Sequence, residues 1–527
     1  MSESIKRKQV FQDYYTDNDY NEVILELPTI IEEAKKRASE VLEPTIYENR
    51  EVMAVIKDYI RQKKRKVYGG TALNEMLKSS NPVDAIYNEN SFSDIEFYSP
   101  TPVPDLVELT NLLYQKGYKY VVGKEAQHDE TYSIFVNFKL YCDISYVPTI
   151  VYHGIKTVII DGIHYADPHF MLIDYLRMIN DPMNAAEQRW EKAFKRMYKL
   201  LKNYPLEYFD KQIRIDRPPE EIQKYILKIK NEFMLIDKVQ ESSLICGFEA
   251  YNFYIKYAAD DRSVEKLART TFGKDKLKDF LVNVPFFDLL SVNYVDTVER
   301  LYAFVQDMVP SPKDVTLDEY FPLFQFTNHM ARISYKGIPL ANVFEADGFC
   351  IPNVKTTKGY MYVSYQYLLM FMLISKFRSH LDKNKEMYFN YSIAISNLVS
   401  ARNIYLSKKN LGVLNNSAFG EFRISCVGST VSYTRMSQLR GLEKLRQGKS
   451  ARFSYMPENF FKQSKESQER FDPTKHSFRN TSGNKIANPK NLMFKIDKEG
   501  KIRRDAEVEE SFVSTDNEEK EPEEKFE

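Results

Sequence analysis

Two stretches of this 527-residue chain carry the same landmarks in the same order. Phe135 and Phe324 each stand eight positions before a residue followed by Ile-Ser-Tyr, in Asp143-Ile-Ser-Tyr146 and Arg332-Ile-Ser-Tyr335. An Asp-Gly pair follows each, at Asp161-Gly162 and Asp347-Gly348, and then an apolar segment rich in Tyr, Leu and Met. Upstream, Leu244-Ile-Cys-Gly-Phe-Glu-Ala250 sits where Val67-Tyr-Gly-Gly-Thr-Ala72 sits in the first stretch, and Phe287-Asp-Leu-Leu-Ser291 echoes Ser93-Asp-Ile-Glu-Phe97. A spacing of about 190 residues is the size of a domain, not of a solenoid unit. The order predicts two related domains. Chance likeness between two α/β stretches is the alternative.

The local pattern supports alternating elements. Residues 20–62 have apolar positions at helical spacing and read as an N-terminal helical extension over 1–60. Within 61–238, the first domain, short β-rich runs at 92–98, 118–122, 132–138 and 140–147 surround a helix at 104–114. Further helices follow at 184–201 and 219–239, and the copy is expected over 239–435. From 436 to 527 Ser, Lys, Asn and Glu dominate, which predicts a low-complexity tail without a core.

Charge is distributed unevenly. Lys+Arg and Asp+Glu both number 74, but residues 505–527 hold 11 acidic side chains against two lysines. The rest is therefore net basic by nine. Between Arg435 and Arg504 there are 18 Lys/Arg against 7 Asp/Glu, which suits either RNA contact or a merely solvated tail. The longest apolar run, 367–374, is too short to span a bilayer. The start of the chain lacks an apolar signal core. Cys142, Cys246, Cys350 and Cys426 lie far apart, with neither a zinc spacing nor a dense disulfide pattern, so a reducing aqueous compartment is expected.

The chemistry concentrates in Tyr68-Gly69-Gly70, Asp94-Ile95-Glu96 and Asp143. Side chains alternate along a strand, so Asp94 and Glu96 project from one face while Ile95 and Phe97 pack into the other. If the strand of Asp143 is a neighbour, three carboxylates converge. Two such charges at ~4 Å repel by about 4 kcal/mol at an effective dielectric near 20, so the cluster must take up a proton or a cation. Oxygen ligands of this kind suit Mg²⁺. Adjacent glycines before a helix let backbone N–H groups approach a phosphate, and Thr71 can add a hydroxyl. Lys64, Arg65 and Lys66 lead into this turn. Arg189, Lys192 and Arg196 share one face of the 184–201 helix. Each basic set is either a phosphate or RNA contact or an ordinary solvated face.

These motifs resemble the nucleotidyltransferase superfamily of DNA polymerase β type. More closely, Tyr68-Gly-Gly-Thr-Ala-Leu-Asn74, Ser93-Asp-Ile-Glu-Phe97 and Tyr141-Cys-Asp-Ile-Ser-Tyr146 resemble the poly(A) polymerase catalytic subunits of large DNA viruses, the poxvirus and giant-virus type. The resemblance implies an α/β (α+β) catalytic domain with helical additions, then a degenerate nucleotidyltransferase-like domain and a disordered C-terminal tail. It implies transfer of AMP from ATP to an RNA 3′ end with two Mg²⁺ or Mn²⁺ ions held by Asp94, Glu96 and Asp143. Gly69, Gly70 and Thr71 would lie at the triphosphate. It also implies a homodimer or a processivity subunit, and action in the cytoplasm, at a viral factory or packaged in a virion. The copy lacks this set on the Ile-Ser-Tyr alignment, where Asp288 matches Asp94, Leu290 replaces Glu96 and Arg332 replaces Asp143. It is therefore expected to serve RNA contact or dimerisation. Other terminal transfers (UMP or CCA addition) and a non-catalytic RNA-binding scaffold are the alternatives.

Overall fold

The computed structural model describes residues 14–504 apart from 43, 88–92, 129, 185–186, 210, 235–241, 272–276, 449–451, 476–484, 486–491 and 497–501. Two helices lead in, α1 (Asp17–Val41) and α2 (Ile46–Lys63). Thr16 caps α1 in a reciprocal box with Asp19, yet α1 buries none of its residues, whereas α2 buries Val52, Ile56, Tyr59 and Ile60 against the first domain.

That domain comprises β1 (Lys66–Tyr68), α3 (Gly69–Ser80), β2 (Ile95–Ser99), α4 (Pro102–Gln115), β3 (Val122–Glu125), β4 (Thr131–Val136), β5 (Lys139–Tyr146), β6 (Thr157–Ile160), β7 (Ile163–Ala166), α5 (Pro168–Ile179) and α6 (Glu187–Asn203). The second comprises β8 (Ser243–Ile245), α7 (Gly247–Ala259), β9 (Phe287–Ser291), α8 (Tyr294–Met308), β10 (Val315–Tyr320), β11 (Met330–Tyr335), β12 (Ile338–Glu345), β13 (Ile351–Lys355), β14 (Met361–Val363), α9 (Tyr365–Leu381) and α10 (Lys385–Lys409). The strand expected at 118–122 begins only at Val122, after a left-handed Tyr120.

The duplication is a property of the sheets. The first runs β3-β4-β5-β2-β1-β7-β6 and the second β10-β11-β12-β9-β8-β14-β13. In both, the third and fourth strands are parallel, as are the fifth and sixth, and the other neighbours are antiparallel. Equivalent turns repeat as well: Val147 N–H donates to the Ser99 carbonyl as Ala346 N–H donates to that of Ser291.

The register corrects the pairing drawn from Ile-Ser-Tyr. Asp143-Ile-Ser-Tyr146 lies on β5, but Arg332-Ile-Ser-Tyr335 lies on β11, the counterpart of β4. Tyr68 pairs with Glu96, and the Cys246 N–H donates to the Asp288 carbonyl, so Asp288 is the counterpart of Glu96 and not of Asp94. Asn342, register partner of Asp288, stands where Asp143 stands, and Phe286 falls in the place of Asp94. Arg332 answers to Ser133, since each faces that same position from the adjoining strand.

The segment after the second domain is partly folded. β15 (Cys426–Val427) pairs with β13, α11 (Tyr433–Arg446) starts on a Ser432 cap, and β16 (Ser454–Tyr455) adds to the first sheet beside β3. Tyr455 is buried, bonds Asn111 on α4 at 2.9 Å and stacks on Phe471. Met493 and Phe494 donate backbone N–H groups to Glu319 on β10, at 3.0 and 3.1 Å. The expectation of a structureless stretch from 436 thus fails over these residues. The acidic end, 505–527, lies outside the described residues. Cys350 and Cys426 form a disulfide with Cα atoms 5.4 Å apart, a pairing that their 76-residue separation did not announce.

Candidate active site

β1 ends at Tyr68 and the chain turns at once into α3 through two glycines. Gly69 has φ of +71°, the left-handed region, and a side chain there would overlap the Glu96 carboxylate. A side chain at Gly70 would overlap the Tyr87 hydroxyl and come within 2.9 Å of the Arg196 guanidinium. At Gly69 the backbone conformation itself favours glycine, whereas at Gly70 a side chain would displace the groups that lie over the turn.

The carboxylates come from the next strands. Ile95 and Cys142 are register partners and both buried, which turns Glu96 and its own partner Asp143 to the opposite face. Asp94, one position before β2, shares that face by the same alternation. Glu96 Oε2 accepts the Gly70 N–H at 3.0 Å, and Asp143 Oδ1 accepts the Ser133 hydroxyl at 2.6 Å. Burial, then the charge of Asp94, push the Glu96 carboxyl up to about 7, against the Gly70 N–H that favours its ionised form. Burial, opposed by the Ser133 bond and aided by Asp94, also raises Asp143. Their ionised forms are costly without a cation. The donor set therefore fits divalent metals: hard oxygens on adjoining strands, each repelled by the others. Glu96 is turned onto Gly70 and Asp143 onto Ser133, and among the described residues no three such side chains are yet gathered for coordination. Closing round an ion requires side-chain rotation, not a change of register.

The remaining expected residues divide. Arg196 reaches the turn from α6 and donates to the Tyr87 hydroxyl at 2.6 Å. Thr71 Oγ donates to the Asp94 carbonyl at 2.9 Å, so it ties the turn to β2. Arg65 instead pairs with Asp105 at 2.8 Å in the α4 interface, and Lys66 donates to the carbonyls of Tyr152 and Ile155. Burial brings the Lys66 ammonium down to about 8. Both are engaged in packing, while the backbone carbonyl of Lys64 accepts the Tyr152 hydroxyl. Lys192 is exposed on α6, Arg189 is half-buried near its start, and neither is brought to the glycine turn by a bond described here.

Two family models cover most of the chain. One described as "Poly(A) polymerase catalytic subunit" matches residues 54–185, and one described as "APMV, Putative poly(A) polymerase, catalytic subunit, C-terminal" matches 220–496. The "Putative poly(A) polymerase catalytic subunit" of Acanthamoeba polyphaga mimivirus is 58% identical over 520 residues, 96% of this chain and 89% of that protein. The chain belongs to the viral poly(A) polymerase catalytic subunits. A protein of the same description from African swine fever virus is 29% identical over 159 residues, 29% of this chain and 33% of its own length. The crystal structure of the Megavirus polyadenylate synthase superposes with a TM-score of 0.89 at 62% identity, covering 94% of this chain and 97% of that one.

Within this poly(A) polymerase family fold, the second domain carries different residues at the counterpart positions. Gly247 keeps the left-handed turn (φ +58°), but Phe248 follows where Gly70 stands in the first domain, and it stacks on Tyr391 at 5.1 Å. Asp288 is 3% exposed and accepts from Asn342, which accepts from Arg332, both at 2.8 Å. Burial raises the Asp288 carboxyl to about 7, held back by Asn342, Arg332 and Arg378. Of the three positions that carry Asp94, Glu96 and Asp143 in the first domain, that of Glu96 alone keeps a carboxylate in the second, in Asp288.

Sequence reasoning missed Tyr87, Ser93 and Ser133. Ser133 was findable as the position facing Asp143 in a hairpin. Tyr87 was not, because it arrives from a connection, fixed by its N–H and that of Ile86 donating to Asn74 at 2.9 and 3.0 Å.

Proposed function

We propose that this chain lengthens RNA by transferring AMP from ATP to the 3′-hydroxyl, making poly(A) tails, with the reaction confined to the first domain. The observation that carries the proposal is the register of Glu96 against Asp143, with Asp94 on the same face, beside a glycine turn overhung by Arg196. Gly69 and Gly70 would admit the triphosphate close to the backbone, with the start of α3 favouring negative charge. Asp94, Glu96 and Asp143 would hold two Mg²⁺ or Mn²⁺ ions. Such ions, when bound, lower the pKa of an attacking hydroxyl and offset charge on departing pyrophosphate. Asp143, held by Ser133, would help take up the 3′-hydroxyl proton as the α-phosphorus is attacked.

The name "catalytic subunit" borne by the mimivirus relative supports a working assembly larger than one chain, as a homodimer or with a processivity subunit. A site of action in the host cytoplasm, at a viral factory or packaged in a virion, accords with the viral relatives. No helix among the described residues is long and apolar enough to cross a membrane.

The test is primer extension with oligo(A) and oligo(U) and each of the four nucleoside triphosphates. ATP should be preferred, with Mg²⁺ or Mn²⁺ required. Preference for UTP or CTP would replace poly(A) synthesis by another terminal transfer, and no incorporation under any condition would favour an RNA-binding scaffold.

A further inference from the structure

We infer that Tyr87 and Tyr175 complete the triphosphate seat with Arg196, Tyr87 as a positioning residue and Tyr175 as a hydroxyl donor to the phosphates. This rests on the adenylyl-transfer reading above.

Tyr87 stands between the turn and the carboxylates. Its hydroxyl accepts from Arg196 Nη2 at 2.6 Å, and the guanidinium lies 5.7 Å from its ring centre. Ser93 Oγ lies 3.1 Å from both the Tyr87 hydroxyl and Asp94 Oδ1. A hydroxyl has one proton to give. Arg196 can only donate and the Asp94 carboxylate can only accept, while Ser93 has its one proton to give to either the Tyr87 hydroxyl or Asp94, so Ser93 links the two. The Tyr87 hydroxyl thereby sets where the guanidinium sits over Gly70, and it couples that guanidinium to a proposed metal ligand.

Tyr175 supplies the second observation. It projects from α5, is 5% exposed, and its hydroxyl is buried without a hydrogen bond among the described residues. The charges of Arg196, Glu96, Asp174 and Tyr87 act on it, so it lies within electrostatic reach of the groups over the turn. A buried hydroxyl left unpaired is costly, and such groups in folded proteins are exceptions that call for an explanation. Beside Arg196 and a glycine turn, the partner chemistry is a phosphate oxygen.

In the transfer, a bond forms from the RNA 3′-oxygen to the α-phosphorus as the bond from that phosphorus to the bridging oxygen of the β-phosphate breaks. The bonding pair leaves with pyrophosphate, and the 3′-hydroxyl proton passes through Asp143 to water. Negative charge grows on the β,γ side, where Arg196 and Tyr175 donate.

The experiment is calorimetric titration of the full chain with magnesium tripolyphosphate, which has neither base nor sugar, paired with extension kinetics for each nucleotide. In Tyr87→Phe and Tyr175→Phe the dissociation constant should rise about tenfold, as expected for losing a hydrogen bond to a charged group. KM should rise by the same factor for every accepted nucleoside triphosphate, with the melting temperature and primer KM unchanged. Tyr87→Phe should add nothing in an Arg196→Lys background. Tripolyphosphate binding that is unaltered in both variants overturns the inference, as does a KM change restricted to ATP. If the unsubstituted chain itself fails to bind tripolyphosphate, the nucleotide-site reading falls and the inference with it. Should either Phe variant not fold, Tyr175→Met and Tyr87→Met, which also lack a hydroxyl, supply the same comparison.

Discussion

Glu96 and Asp143 are direct register partners on the parallel strands β2 and β5, and Asp288 and Asn342 hold the same relation on β9 and β12. One backbone geometry thus presents a carboxylate pair in one domain and an acid–amide pair in the other. The chemistry must follow the side chains, since the scaffold is shared.

Asp94→Ala and Asp143→Asn should each lower AMP transfer by at least about a thousandfold, the scale expected when charge stabilisation at a reacting centre is lost. Asp288→Asn and Arg332→Ala should leave transfer within about threefold of the unsubstituted chain, because neither touches the first sheet. Single-nucleotide extension of a labelled primer reads both sets. Equal loss from Asp288→Asn, with RNA binding intact, would return the second domain to the chemistry.

The Asp288 carboxyl has a pKa of about 7 in the folded protein against 3.8 as its ordinary value, with burial as the main cause. Below pH ~4 both folded and unfolded chains hold the proton and no penalty arises. Between pH ~4 and ~7 only the unfolded chain gives it up, so stability falls as pH rises, by up to about 4 kcal/mol. The groups acting on this carboxyl include Arg332 and Arg378, and Cys246 and Tyr391 feel its charge. Asp288→Asn removes the dependence. Melting temperatures of the two chains should converge near pH 4 and separate at pH 8, with the variant higher.

Gly70→Ala places a methyl group against the Tyr87 hydroxyl and the Arg196 guanidinium. The α-helical start tolerates alanine there, so folding should survive while KM for ATP rises about tenfold or more through displacement of those groups. Gly69→Ala is more severe, because a positive φ and the Glu96 carboxylate both oppose it. Expected soluble yield and melting temperature fall for Gly69→Ala and hold for Gly70→Ala.

Tyr455→Ala removes a buried ring that bonds Asn111 and stacks on Phe471. The loss should be about 3–5 kcal/mol, the usual range for truncating a buried aromatic. It should be local: amide hydrogen exchange should quicken over residues 122–125, which β16 covers, and stay slow over 287–291.

The catalytic strands were readable because alternation leaves a period of two, and Ile95, Phe97, Cys142 and Ile144 keep it on both. The duplication was readable in outline for the same reason. Its register was not, because Ile-Ser-Tyr recurs on strands that are neighbours in a hairpin, and matching three residues cannot tell which arm carries them. The pairing of β12 with β9 decides it. Arg65 and Lys66 precede the glycine turn in sequence, yet they face α4 and the carbonyls at 152 and 155, since adjacency along a strand says nothing about the direction of a long side chain. β16 spans two residues, too few for any periodicity, and it is held by pairing with β3 and by the bond from Tyr455 to Asn111, both between segments more than three hundred positions apart. Arg196 was legible only as one member of a basic helical stripe, and Tyr87 is what singles it out.

The last described stretch of the chain touches both halves of the molecule, through β16 on the first sheet and through Met493 and Phe494 on the second. It also emerges after both sheets during synthesis. Until about residue 455 has been made, the outer edge of β3 offers open backbone groups to any passing strand, a known route to mispairing. A message truncated shortly after α11 would therefore encode a protein with its carboxylates in place but an unguarded flank, and its failure would appear as aggregation before it appeared as lost chemistry.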